Sequence, residues 1–178
     1  MVKVLSINIF IMQMLNLKEK IMEKEEIIKE EEKKLEDFVN AIYQNISTAI
    51  QSINEIEKVT EDQCFLKELK KEKDGYNSVK AKLLTVCEKI KVEPKDNNMF
   101  EKARLFTSIK VTTLADRSTR HLAEMMLLGS VMGTTTCYKD LCDYKDTNGE
   151  LYEVLQTLMG LEEEYFNNLK TFLKELKD

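Results

Sequence analysis

The stretch LYEVLQTLMGLEEEYFNNLKTFLKEL, Leu151 to Leu176, decides the fold class. Leu151, Leu155, Leu158, Leu161, Tyr165, Leu169, Phe172 and Leu176 recur at steps of three and four. That spacing puts them on one side of an α-helix and gives it one apolar stripe. Asp146 to Glu150 precedes it with an Asn-Gly pair, which reads as a turn.

Three further helical stretches lie upstream. One runs from about Met22 to Lys58, with the stripe Leu35, Phe38, Val39, Ile42, Ile46, Ala49, Ile50, Ile53 and Ile56. A second follows a capping box formed by Thr60 and Gln63. It carries Phe65, Leu69, Tyr76, Val79, Leu83, Cys87 and Ile90, and stops before Pro94 in the loop EPKDNN. A third spans Met99 to about Tyr144, with a kink or short break in VTTLADRST and helix again by Ser118. Its apolar positions are Leu122, Met125, Leu128, Met132 and Thr136. One proline and five glycines are too few for the frequent turns of an all-β chain. Four amphipathic helices with short connections predict an all-α, antiparallel up-down-up-down four-helix bundle over 22–178.

Residues 1–21 stand apart as an apolar N-terminal extension. Val4 to Leu15 is shorter than the roughly 20 apolar residues that a bilayer span needs. It reads as a cap on the bundle, a weak membrane anchor, or sequence upstream of a true start at Met22; the last is favoured. A membrane role is expected only through residues 1–15.

The net charge of -5, with acids and bases interspersed, leaves no basic face for nucleic acid. Cys64, Cys87, Cys137 and Cys142 form no Cys-x-x-Cys pair and read as reduced thiols of a cytoplasmic protein. There is no Gly-x-Gly-x-x-Gly or phosphate-binding Gly-Lys-Ser/Thr loop. The single histidine has no nucleophile beside it except Ser118.

The segment STRHLAEMMLLGSVMG, Ser118 to Gly133, followed by Cys-Tyr-Lys-Asp-Leu and the Glu-rich final helix, resembles a ferritin-like family of low-GC Gram-positive bacteria that carries a domain of unknown function. Ser118, Thr119, His121, Ala123, Glu124, Met125, Met132 and Gly133 match its pattern, while Arg120 departs from it. The resemblance covers about Glu36 to Leu176. It implies a bundle and a bacterial cytosolic setting, and no activity.

A ferritin-like di-iron centre uses two Glu-x-x-His motifs, and this chain has none. His121 and Glu124 stand in reverse order. Glu162 falls on the buried stripe of the last helix, an unusual place for a carboxylate. A metal set would consist of His121, Glu124 and Glu162, with Glu36 and Glu68 as further acids, and would take iron or another divalent metal. The favoured reading is structural and without cofactor. Met125, Met126 and Met132 fill the core, Gly129 and Gly133 admit a neighbouring helix, and His121 with Glu124 forms the polar rim. On that reading the bundle works without catalysis, by contact of its helix faces with itself or another protein.

Overall fold

The computed structural model describes residues 2–96, 109, 112–113, 116–145 and 147–176, with side chains from residue 12 onward except residue 13. Four helices are described: α1 (Val2–Glu57), α2 (Gln63–Ile90), α3 (Thr119–Asp143) and α4 (Gly149–Glu175). No strand occurs among the described residues. The chain divides into two units, Met1–Leu35 and Glu36–Asp178. The first is helical and its described apolar side chains, from Met12 to Ile28, are exposed. Among the described residues no helix is long and apolar enough to cross a membrane.

Polar caps set the helix starts in the second unit. The Asp62 side chain accepts from the backbone N–H groups of Cys64 and Phe65, Ser118 from His121, and Asn148 from Leu151. The expected Thr60 box is therefore corrected. Thr60 is buried and its hydroxyl has no hydrogen-bond partner among the described residues, because Asp62 lies nearer the first free N–H groups. Helix α2 ends at Lys91 in the left-handed region, φ 58°.

Cross-helix pairs fix the directions inside this unit. Phe65 stacks on Phe172, Tyr76 meets Tyr165 edge-on, and Lys89 pairs with Glu150, so α2 and α4 are antiparallel. Glu57 pairs with Lys73, and Lys80 lies over Tyr43, so α1 and α2 are antiparallel. Phe38 stacks on Tyr144, Asn45 reaches Gly133, and Asp62 accepts from Thr119. Helix α3 is thus antiparallel to α1 and runs in the same direction as α2.

That order corrects the up-down-up-down expectation. Lys95 bonds to Asn40 and Gln44, whereas Thr119 bonds to Asp62. The described ends of the connection between α2 and α3 therefore lie apart by the length of α1 from Asn40 to Glu57, about 25 Å at 1.5 Å per residue. That connection is long, and a short one would have turned α3 back. The proposed helical start of the third stretch, Met99 to Lys110, lies outside the described residues except for buried Ile109.

The core follows three of the four predicted stripes. Phe38, Val39, Ile42, Ile46, Ile53 and Ile56 of α1 are buried, as are all of the α2 stripe but Ile90. In α4, Leu151, Leu155, Leu158, Tyr165 and Leu169 are buried. The α3 stripe differs. Leu122 is buried, but the inner face continues through Ala123, Met126, Ser130, Gly133, Cys137 and Asp140. Leu128 and Met132 are 61% and 64% exposed, so Met132 is not core filler.

Candidate functional site

Two buried carboxylates, Glu72 and Glu162, lie near enough in the core of the second unit for Glu162 to repel charge on Glu72. Glu72 follows Leu69 by three residues and precedes Tyr76 by four, so the α2 helix turns it inward with its apolar neighbours. Glu162 follows Leu158 by four residues and precedes Tyr165 by three, which turns it inward on α4 in the same way. Each is only 1% exposed. Among the described residues, both oxygens of Glu72 and Oε2 of Glu162 lack a hydrogen-bond partner. The Tyr76 hydroxyl donates to the Glu162 carboxylate, and Tyr165 donates to the backbone carbonyl of Glu72 at 2.9 Å.

Helix α3 closes this site at Gly133, where the backbone lies against Glu162. A Cβ there would stand 2.5 Å from Cδ and 2.8 Å from Oε2 of Glu162. From α1, Asn45 donates at 3.4 Å to the Gly133 carbonyl and to Cys137 Sγ. All four helices thus contribute to one polar layer.

Burial dominates its electrostatics, since removing a carboxylate from water favours the protonated form. Burial, followed by repulsion from Glu162 and Glu68, raises Glu72 from 4.5 to about 8. Burial raises Glu162 to about 7 against the Tyr76 hydrogen bond, which lowers it. The Cys137 thiol is pushed up to about 12 by burial and by Glu162. At neutral pH Glu72 therefore keeps its proton, Glu162 is near its midpoint, and the thiol is un-ionised.

The expected metal set is not brought together. His121 lies in the first turn of α3, partly buried, with Nε2 unpartnered. Gly133, the α3 residue against Glu162, is twelve residues further on, roughly 18 Å along the axis. Glu124 is exposed. Glu36 is exposed and pairs with Lys95. Glu68 is half-buried one turn from Glu72 on α2. Among the described residues no three His, Cys, Asp or Glu side chains are grouped to hold a metal. Glu162 alone of the set belongs to the buried layer. Its partner Glu72 was missed because it sits in the charge-rich run KELKKEKDG, although its place on the stripe was legible by the argument that singled out Glu162.

Gly129 also departs from expectation: among the described residues nothing lies within 4 Å of where its Cβ would stand, so of the two α3 glycines it is Gly133 that admits a neighbour. The α3 helix carries a second apolar face instead. Leu128, Val131, Met132 and Tyr138 are exposed large residues on one helix. Thr134, Thr135 and Thr136 donate their hydroxyls to carbonyls four residues back. Cys64 and Cys142 are exposed free thiols, and Cys87 and Cys137 are buried ones.

No family model, curated protein or solved structure matches this chain.

Proposed function

We propose that this chain is a ferritin-like four-helix bundle of the bacterial cytoplasm that works without catalysis, by contact of its helix faces with a second copy or another protein. The observation that carries the reading is the outer face of α3, where Leu128, Val131, Met132 and Tyr138 are exposed. Soluble monomers seldom leave such a contiguous face uncovered. Ferritin-like bundles have one long crossover connection, and the span from Lys95 to Thr119 supports that placement. Light scattering on the full chain tests the contact. A mass above one chain is expected, falling to one chain in Leu128→Glu/Met132→Glu with an unchanged melt. A strictly monomeric parent protein at high concentration overturns the self-association form, and partner capture insensitive to these substitutions overturns the face.

A second reading takes Glu72 and Glu162 as ligands of iron or another divalent cation, favoured by their three unpartnered oxygens. The fit is incomplete, because hard divalent cations take six or more oxygen ligands and the described residues supply two carboxylates. Metal analysis of protein purified without chelator, beside Glu162→Gln, decides it. Equal metal content in the two proteins rejects it.

A further inference from the structure

The unpartnered oxygens of Glu72 and Glu162 need a donor, and the layer around them has few. The groups facing the pair are Glu68, Lys71 and Tyr76 on α2, Tyr165 and Glu164 on α4, and Cys137 on α3, with Asn45 the nearest polar group from α1. Lys71 is exposed and pairs with Glu164 at 3.9 Å. Tyr165 spends its hydroxyl on a backbone carbonyl. Asn45 is turned to Gly133 and Cys137. Tyr76 serves Glu162 only. Among the described residues no cation is buried beside the two acids, and a second negative charge nearby raises the cost of ionising either.

We propose that Glu72 and Glu162 form a proton-held latch: as neutral acids they close the layer between α2, α3 and α4, and their ionisation opens it. A protonated carboxyl carries no charge and gains an O–H donor, so each acid in its neutral form avoids burying an unpaired charge. Gly133 closes the α3 side of Glu162, since its backbone lies against that carboxylate. Once charged, the buried acids reach water only by movement of the helices around them. The latch is independent of whether the α3 face binds a partner.

The direction of the pH effect follows from where each state holds its protons. Unfolded, both carboxyls release protons near 4.5; folded, they hold them to about 7 and about 8. Between those limits the folded chain binds more protons, so stability falls as pH rises and levels off above about 8. With two protons retained on folding, the folding constant falls on the order of 100-fold per pH unit in the middle of the window.

The test uses the full chain, treated with chelator so that no bound cation holds the carboxylates ionised. Urea unfolding is followed at about pH 5.5, 7 and 8.5 for the parent protein and for Glu72→Gln/Glu162→Gln, whose amides stay neutral. The parent is expected to lose stability across the series more steeply than the double variant. Equal slopes overturn the proposal. If the double variant does not fold, infrared spectra of the parent decide: a neutral carboxyl carbonyl band at about pH 6, lost by about pH 9, supports the latch, and its absence at about pH 6 overturns it.

Discussion

Alanine at Gly129 and at Gly133 should move stability in opposite directions, although the two glycines lie one turn apart on the same helix. In a helix interior, glycine to alanine gains about 1 kcal/mol from reduced backbone freedom in the unfolded chain. At Gly129 nothing within 4 Å opposes that gain, so Gly129→Ala should stabilise by about 0.5–1 kcal/mol. At Gly133 the new methyl would overlap the Glu162 carboxylate, with Cδ at 2.5 Å. The carboxylate is the end of a flexible side chain, but it is fully buried and tied to Tyr76. Overpacking of this kind costs about 1–3 kcal/mol, which outweighs the helix gain at most of that range. The two variants should therefore differ by about 1–3 kcal/mol, or several degrees in melting temperature for a chain of this size. Urea unfolding followed by circular dichroism measures both. A cycle with Glu162→Ala locates the cause, since removing the carboxylate should relieve much of the Gly133→Ala cost. If Gly133→Ala is as stable as Gly129→Ala, the close contact between α3 and Glu162 does not exist as described.

Tyr165→Phe removes the donor to the Glu72 carbonyl and should cost about 1 kcal/mol in the same unfolding assay; an unchanged midpoint would mean that this bond is not made. Of the four thiols, Cys64 and Cys142 should react with a thiol reagent in the native protein, while Cys87 and Cys137 should wait for unfolding. Four fast thiols in native buffer would contradict the burial of the last two.

Legibility in the sequence followed side-chain size. Helix α4 announces itself because its buried positions are mostly leucine at helical steps. Helix α3 does not, because beside Leu122 and Met126 its inner face is Ala123, Ser130, Gly133, Cys137 and Asp140, and it is these last five that hide it. Those residues are small or polar, and they are buried because helix α4 comes close. The larger Leu128 and Met132 pointed the periodicity argument to the wrong face. Direction was equally hidden. The stretch from Met99 to Lys110 is amphipathic in sequence and reads as the start of the third helix, and all of it but Ile109 lies outside the described residues. Only the cross-helix pairs Phe38–Tyr144 and Asp62–Thr119 reveal that α3 runs with α2. Half of the acid pair was visible, because Glu162 interrupts a leucine stripe. Glu72 is one acid among many charges until it is counted against Leu69 and Tyr76.

The three consecutive threonines of α3 also change what that helix offers to water. Written as letters, Thr134-Thr135-Thr136 looks like a wet, hydroxyl-rich run. Each hydroxyl is instead folded back onto its own helix, at 2.8–2.9 Å from a carbonyl one turn earlier. A hydroxyl committed in this way has little left for an incoming molecule, and the methyl is the group left outward. Thr135 and Thr136 are exposed, so the ribbon from Leu128 through Val131 and Met132 to Tyr138 continues in carbon across the threonines. To an approaching surface this side of the helix is greasier than its spelling, and replacing Thr135 with serine would strip a methyl from the ribbon while leaving the backbone bond in place.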